Sequence, residues 1–223
     1  MKRQLILAVI FIFVSAVAFA GNPDKKDKKN TKEDYTKDLF LPGGYFNINY
    51  AMGFGVGDFH DFIPEATFRG FDAHGKKMLD AHWGIGGGMG WTGFSHKFPR
   101  TTYVFENGAV TGVGQHFYYS FEMYAQGSYY PFAESWIKPY LSLDAGPVYQ
   151  TVENQIGQYY IQDQSWQFKV SPALGLFIPF GENAEVGINT AVKYNYIAFT
   201  NSNYKLPNGI SYFQWVIGLG FLF

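Results

Sequence analysis

Between Tyr212 and Phe223 the chain alternates without a break. Phe213, Trp215, Ile217, Leu219, Phe221 and Phe223 share one register, while Tyr212, Gln214, Val216, Gly218, Gly220 and Leu222 share the other. A strand turns successive side chains to opposite faces. This segment therefore has one aromatic, apolar face and one that is small or polar apart from Val216 and Leu222. The rhythm recurs upstream. Tyr45–Gly57 sets Phe46, Ile48, Tyr50, Met52, Phe54 and Val56 against Asn47, Asn49, Ala51, Gly53 and Gly55. His82–Phe94 sets Trp83, Ile85, Met89 and Trp91 against Gly84, Gly86, Gly88 and Gly90. Gln115–Tyr129, Pro139–Val152, Trp166–Ile178 and Glu185–Phe199 alternate likewise, and Thr67–Leu79 does so most weakly. Turn-forming clusters separate these runs, and no stretch shows a helical period. The pattern predicts eight strands.

Each strand pairs an apolar face with a polar or glycine-rich one. Stacked around a closed cylinder, the apolar faces suit lipid and the polar faces suit an interior. The expectation is all-β: an eight-stranded antiparallel up-and-down transmembrane β-barrel over residues 44–223. Connections after the second, fourth and sixth strands are short, around Asp80-Ala81, Ala133-Glu134 and Gly181-Glu182-Asn183. Those after the others are longer: Asp58–Ala66, Ser95–Gly114, Glu153–Ser165 and Thr200–Ile210. Short turns on the periplasmic side and long loops outside would leave both termini periplasmic.

Alternation also assigns an interior set: Asp72, His74, Lys76, Glu122, Asp144, Lys169, Glu185 and Lys193. Isolated charges inside a narrow barrel are costly, so these are expected to pair. An eight-stranded barrel has interior enough for side chains alone. The lumen is therefore expected to be plugged and hydrogen-bonded rather than an open channel. The inward column His116, Ser120, Glu122 is the best place to look for catalysis. Yet His116 and Ser120 lie roughly 13 Å apart at ~3.3 Å per residue, too far for a nucleophile and its base. No catalytic site is assigned. His60 with Asp58 and Asp61 falls short of a metal-binding signature, and no metal or other cofactor is expected. The run Gly84-Ile85-Gly86-Gly87-Gly88-Met89-Gly90 lacks the Lys-Ser/Thr and helix of a phosphate loop. These glycines are expected to make room for bulky lumen neighbours such as Tyr118 and Tyr124.

The beginning of the chain has a different texture. Lys2 and Arg3 precede the apolar run Leu5–Val17, and Ala18-Phe19-Ala20 has the small-x-small form of a cleavage site. That run is shorter than the ~20 residues a membrane helix needs. Residues 1–20 read as a signal peptide. Residues 21–43, with Asp24-Lys25-Lys26-Asp27-Lys28-Lys29 at their start, read as a disordered, charged periplasmic tether. There is no cysteine, hence no lipid attachment and no disulfide framework. Seventeen basic against 18 acidic residues give a formal net charge of −1, which does not attract nucleic acid. Aromatics at 20% and 26 glycines coexist with a slightly negative mean hydropathy, as an inside-out barrel allows.

Several local sequences carry a resemblance. They are Gly57-Asp58-Phe59-His60-Asp61-Phe62, Phe68-Arg69-Gly70-Phe71, the glycine-rich third strand, Lys193-Tyr194-Asn195-Tyr196 and the aromatic C-terminal segment. From Gly44 to Phe223 the chain resembles the small outer-membrane β-barrel domain proteins of Gram-negative bacteria, of the porin-like or opacity-protein kind. The resemblance implies fold and location more than activity. A monomer is expected, structural or interactive through its outer loops. Narrow or lateral passive transport of a small molecule stands second, and an enzyme of membrane lipids third. The expected partners are outer-membrane lipids, lipopolysaccharide and the barrel-insertion machinery. That machinery would read Phe213, Trp215, Ile217, Leu219, Phe221 and Phe223 as the assembly signal.

Overall fold

In a computed structural model the described residues are 43–105, 108–132, 135–181, 185–199, 204, 206 and 208–223. The signal peptide and all but the last residue of the tether lie outside them, as do Ala133-Glu134 and Glu182-Asn183. Eight strands form a closed barrel in chain order: β1 (Gly44–Val56), β2 (Gly70–Met78), β3 (Trp83–Phe105), β4 (Gly108–Tyr129), β5 (Lys138–Ile156), β6 (Tyr159–Pro179), β7 (Val186–Ile197) and β8 (Ile210–Leu222). Every neighbouring pair is antiparallel, and β8 closes on β1 through a register running from Tyr45↔Leu222 to Val56↔Ser211. The seam continues past the strands, where Gly44 and Phe223 exchange backbone hydrogen bonds of 2.6 and 3.0 Å. Closure leaves no unpaired edge around the barrel body, which a sheet in lipid requires.

Polarity runs inside out. Ile48, Ile85, Leu143, Leu174 and Val192 are exposed on the outer wall, whereas Asp72, Asp144, Lys169 and Lys193 are buried within. Water-soluble packing reverses that arrangement. Such polarity in a closed sheet defines a membrane-embedded barrel, because only lipid can cover the outer wall while the strands satisfy every backbone group among themselves.

The strands differ in length, and the difference falls at one end. β1 and β8 have 13 residues each, while β3, β4, β5 and β6 have 23, 22, 19 and 21. Crossing the hydrocarbon takes ~9–11 tilted residues. β2 meets β3 as far as Gly70↔Thr92, and β7 meets β6 as far as Lys169↔Ile197. The excess of β3–β6 thus continues away from the termini as a four-stranded sheet, here called distal.

This corrects the loop expectation. Ser95–Gly114 and Glu153–Ser165 are mostly strand, with β5 turning into β6 at Gly157, whose φ of 60° suits a tight hairpin turn. Beyond lipid both faces of a strand meet water, so polar-apolar alternation no longer marks it. Asp58–Ala66 holds a helix, α1 (Asp58–Phe62), too short to show a 3.6-residue period. Its Phe59 and Phe62 are buried in the distal mouth of the barrel. The second strand begins at Gly70, with Thr67 making only an isolated bridge to Gly53.

Candidate functional site

The lumen is filled in three layers. At the end holding the termini, Tyr45, Met78, Tyr130, Tyr140 and Phe177 pack together. At the distal end, Phe59, Phe62 and Ile63 from the α1 segment insert among Phe94, Tyr118 and Tyr212. Phe59 meets Phe94 and Tyr118 edge-on, each at 5.1 Å between centroids, a favoured aromatic geometry. Two side-chain contacts tie this plug to its surroundings: His116 Nδ1 donates to the Phe62 carbonyl at 2.8 Å, and Asn208 Nδ2 donates to Asp58 at 2.8 Å.

Between the apolar layers lie the charges. Lys193 Nζ reaches Asp72 at 2.8 Å and Asp144 at 3.1 Å, so one ammonium bridges two carboxylates. Asp72 accepts further bonds from Tyr124 (2.5 Å), His74 Nδ1 (2.9 Å) and Asn49 (3.1 Å). Asn47 Nδ2 lies 3.1 Å from His74 Nε2, a partner set that suits a neutral ring donating through Nδ1. Gln126 donates to Asp144 at 2.8 Å. Lys169 pairs with Glu122 and also donates to Asn195 at 3.2 Å. Lys76 points among the rings of Tyr140, Tyr130 and Tyr45, 4.2, 5.1 and 5.6 Å from their centroids. Aromatic faces stabilise a desolvated cation. Three carboxylates and two lysines therefore share the middle layer, with Lys76 beside it in the tyrosine cage.

The glycine stripe of β3 faces this layer. A Cβ at Gly88 would lie 2.7 Å from the Tyr124 hydroxyl and 2.6 Å from His74 Cβ, and one at Gly90 would lie 2.7 Å from Glu122. One wall is bare so that its neighbours' large side chains can cross the lumen. Tyr118, expected to press on the same stripe, belongs instead to the distal plug.

Of the eight interior residues read from the sequence, the structure brings Asp72, His74, Glu122, Asp144, Lys169 and Lys193 into the charged layer and Lys76 against its tyrosine cage. Glu185 is a correction. It has the inward parity of β7 but precedes the strand and is exposed at the terminal rim. Parity says which way a side chain points, not whether the barrel still surrounds it. Alternation turns Asn49, Tyr124, Gln126 and Asn195 inward as well, but nothing in it singles them out as partners of the charges. Their signal was only a shared inward parity.

His116, Ser120 and Glu122 are each engaged separately, with the Phe62 carbonyl, the Thr92 carbonyl and Lys169. They form no nucleophile–base pair. Among the described residues no group of three or more His, Asp or Glu is placed to hold a metal ion. The register Phe213–Phe221 lies on the outer wall, and the Phe223 ring covers Gly44, where an added Cβ would lie 2.5 Å from its tip.

Fold and interior together define a small, filled eight-stranded β-barrel with a lipid-facing wall. No protein-family model matches the chain, and no curated protein matches it. Solved structures similar to it are outer-membrane barrels. Ail, the attachment invasion locus protein of Yersinia pestis, is 13% identical with a TM-score of 0.48, over 82% of this chain and 99% of that one. Neisserial surface protein A is 14% identical at 0.47, over 81% and 96%. OprG from Pseudomonas aeruginosa is 14% identical at 0.45, over 82% and 96%. These are likenesses of architecture.

Proposed function

We propose that this protein is an integral outer-membrane barrel of a Gram-negative bacterium that acts through its distal sheet, as a surface-interaction or structural element rather than a channel. One observation carries the reading. The lumen is filled from end to end by two aromatic layers and a charged one, whereas four strands extend about ten residues beyond what lipid requires. A structure built for diffusion invests in its bore. This one invests in an outward extension.

The termini then lie in the periplasm, with residues 1–20 removed on export and residues 21–43 serving as a tether. Outer-membrane lipids and lipopolysaccharide surround the wall. The insertion machinery engages β8 through the register ending at Phe223, and no catalytic role is assigned. An epitope inserted in the Gly157–Gln158 turn is expected to be labelled on intact cells. One inserted at Ala81 is expected to be labelled only after the outer membrane is opened. The reverse labelling would overturn the orientation and the role with it.

A further inference from the structure

The outward face of the distal sheet is laid out in rows by the strand register. Trp91, Phe121, Tyr149 and Trp166 stand side by side on β3, β4, β5 and β6, a four-residue aromatic girdle. Rows of this kind mark the boundary between hydrocarbon and headgroups. The next row away from the termini brings Tyr119, Thr151 and Gln164 together, the next Phe117, Glu153 and Gln162, and the next Gln115, Gln155 and Tyr160. Above the girdle, then, the aromatic residues Tyr119 and Phe117 on β4 run beside Thr151, Glu153 and Gln155 on β5 and the amides Gln164 and Gln162 on β6.

The aromatic column is ordered. Trp91, Tyr119 and Phe117 have near-parallel planes, at 15° and 11°, with centroids 6.4 and 6.1 Å apart. Gly93 permits this, because the far edge of the Trp91 indole lies over it, 3.1 Å from where a Cβ would stand. On the amide side, the Tyr149 hydroxyl donates to Gln164 Oε1 at 3.0 Å and orients that side chain. Tyr160 at the far end is 64% exposed.

Charge narrows the partner. Among the described residues, the outward face of β4–β6 beyond the girdle holds no Lys or Arg and carries one carboxylate, Glu153. Lys97 and Arg100 border that face on β3, opposite Gln115 and Val113 of β4. Across β4–β6 a phosphate or sulfated polymer finds no counter-charge, since the cations are confined to the β3 border. An uncharged polyol finds two matching features: ring surfaces for its C–H face, and amides that both donate and accept for its hydroxyls. Tyrosine rings on a rigid sheet are economical recognition surfaces, since little side-chain entropy is lost.

We infer that this platform binds the neutral sugar chain of the glycolipid in its own outer leaflet, an inference that rests on the proposed outer-membrane orientation. Position selects that source over a free glycan. The platform rises directly from the girdle along the strands, so a sugar chain whose lipid is embedded beside the wall is already aligned with it.

The test uses the full barrel refolded in nanodiscs of zwitterionic phospholipid, with heat-modifiable gel migration as a separate check of insertion. Two delipidated probes are titrated against tryptophan emission: a lipopolysaccharide core oligosaccharide bearing its neutral hexoses, and the truncated core without them. The hexose-bearing core is expected to shift the emission and to bind at least about tenfold more tightly than the truncated core. The double variant Gln162→Ala, Gln164→Ala, which changes only surface amides, is expected to weaken binding about tenfold or more, as loss of one or two hydrogen bonds would. Equal binding of the two cores, or an unaltered double variant, overturns the inference. No binding of the hexose-bearing core also overturns it and leaves a protein as the partner of the sheet. A chain that fails to insert at all contradicts the membrane reading instead, and the gel reports that independently.

Discussion

Lys193 concentrates the energetics of the lumen in one side chain. Its ammonium faces Asp72 and Asp144 at once and lies over the Tyr124 ring at 4.8 Å. Lys193→Met keeps much of the volume but leaves two buried carboxylates without their cation. Breaking a buried pair by removing one partner costs about 3–5 kcal/mol. Its outward neighbour Val192 touches lipid, so Val192→Ala is expected to cost far less, and urea titration of the refolded barrel compares the two. A second test concerns Gly88, where a Cβ would meet the Ala73 carbonyl at 2.6 Å. Gly88→Ala is expected to destabilise by about 1–3 kcal/mol in the same titration, the usual cost of overpacking. At the seam, Phe223→Asp places a charge where the ring covers Gly44 and is expected to lower the folded fraction on heat-modifiable gels.

At the level of elements, the plug has its own pH response. His116 lies five residues beyond Phe121 of the girdle, outside the lipid-spanning stretch. Burial pushes its pKa below the ordinary histidine value, and the facing His96 adds to this, while the bond to the Phe62 carbonyl opposes it. The ring also stacks on Phe62 at 4.2 Å and meets Phe98 edge-on, and Glu65 pairs with His96 at 3.1 Å. A docked plug therefore holds His116 neutral. Its stability is full above the free-histidine value near 6.5 and declines as pH falls through it. Protection of the α1 amides, the ratio of intrinsic to observed hydrogen-exchange rate at each pH, is expected to fall between about pH 7 and pH 5 in the wild type and to lose most of that change in His116→Gln.

Elements also show how far the sequence could be read. Where lipid lies on one side of a strand and the lumen on the other, alternation carries the register, and all eight barrel strands were legible, the second only faintly. In water it falls silent, which is why Arg100–Phe105 and Tyr159–Ser165 looked like loops. The plug was visible only as Phe59 and Phe62, three residues apart. Which charges pair across the lumen depends on stagger between strands that are not sequence neighbours, as with Asp72 of β2 and Lys193 of β7, and no local pattern contains that.

For the whole molecule, inside-out polarity and a filled bore make one claim, since the outer wall needs lipid and the inner wall needs its own charges. An arginine in place of Leu143 on the outer wall is expected to cost roughly 2–4 kcal/mol if its depth is near the midplane, an asymmetry absent from a soluble sheet. The most direct test is electrical. Purified, folded barrel inserted into planar lipid bilayers is expected to give no stepwise ion conductance between pH 7 and 8, since three packed layers occupy the lumen. Reproducible single-channel steps from inserted wild-type protein would contradict the filled barrel and the interaction role built on it.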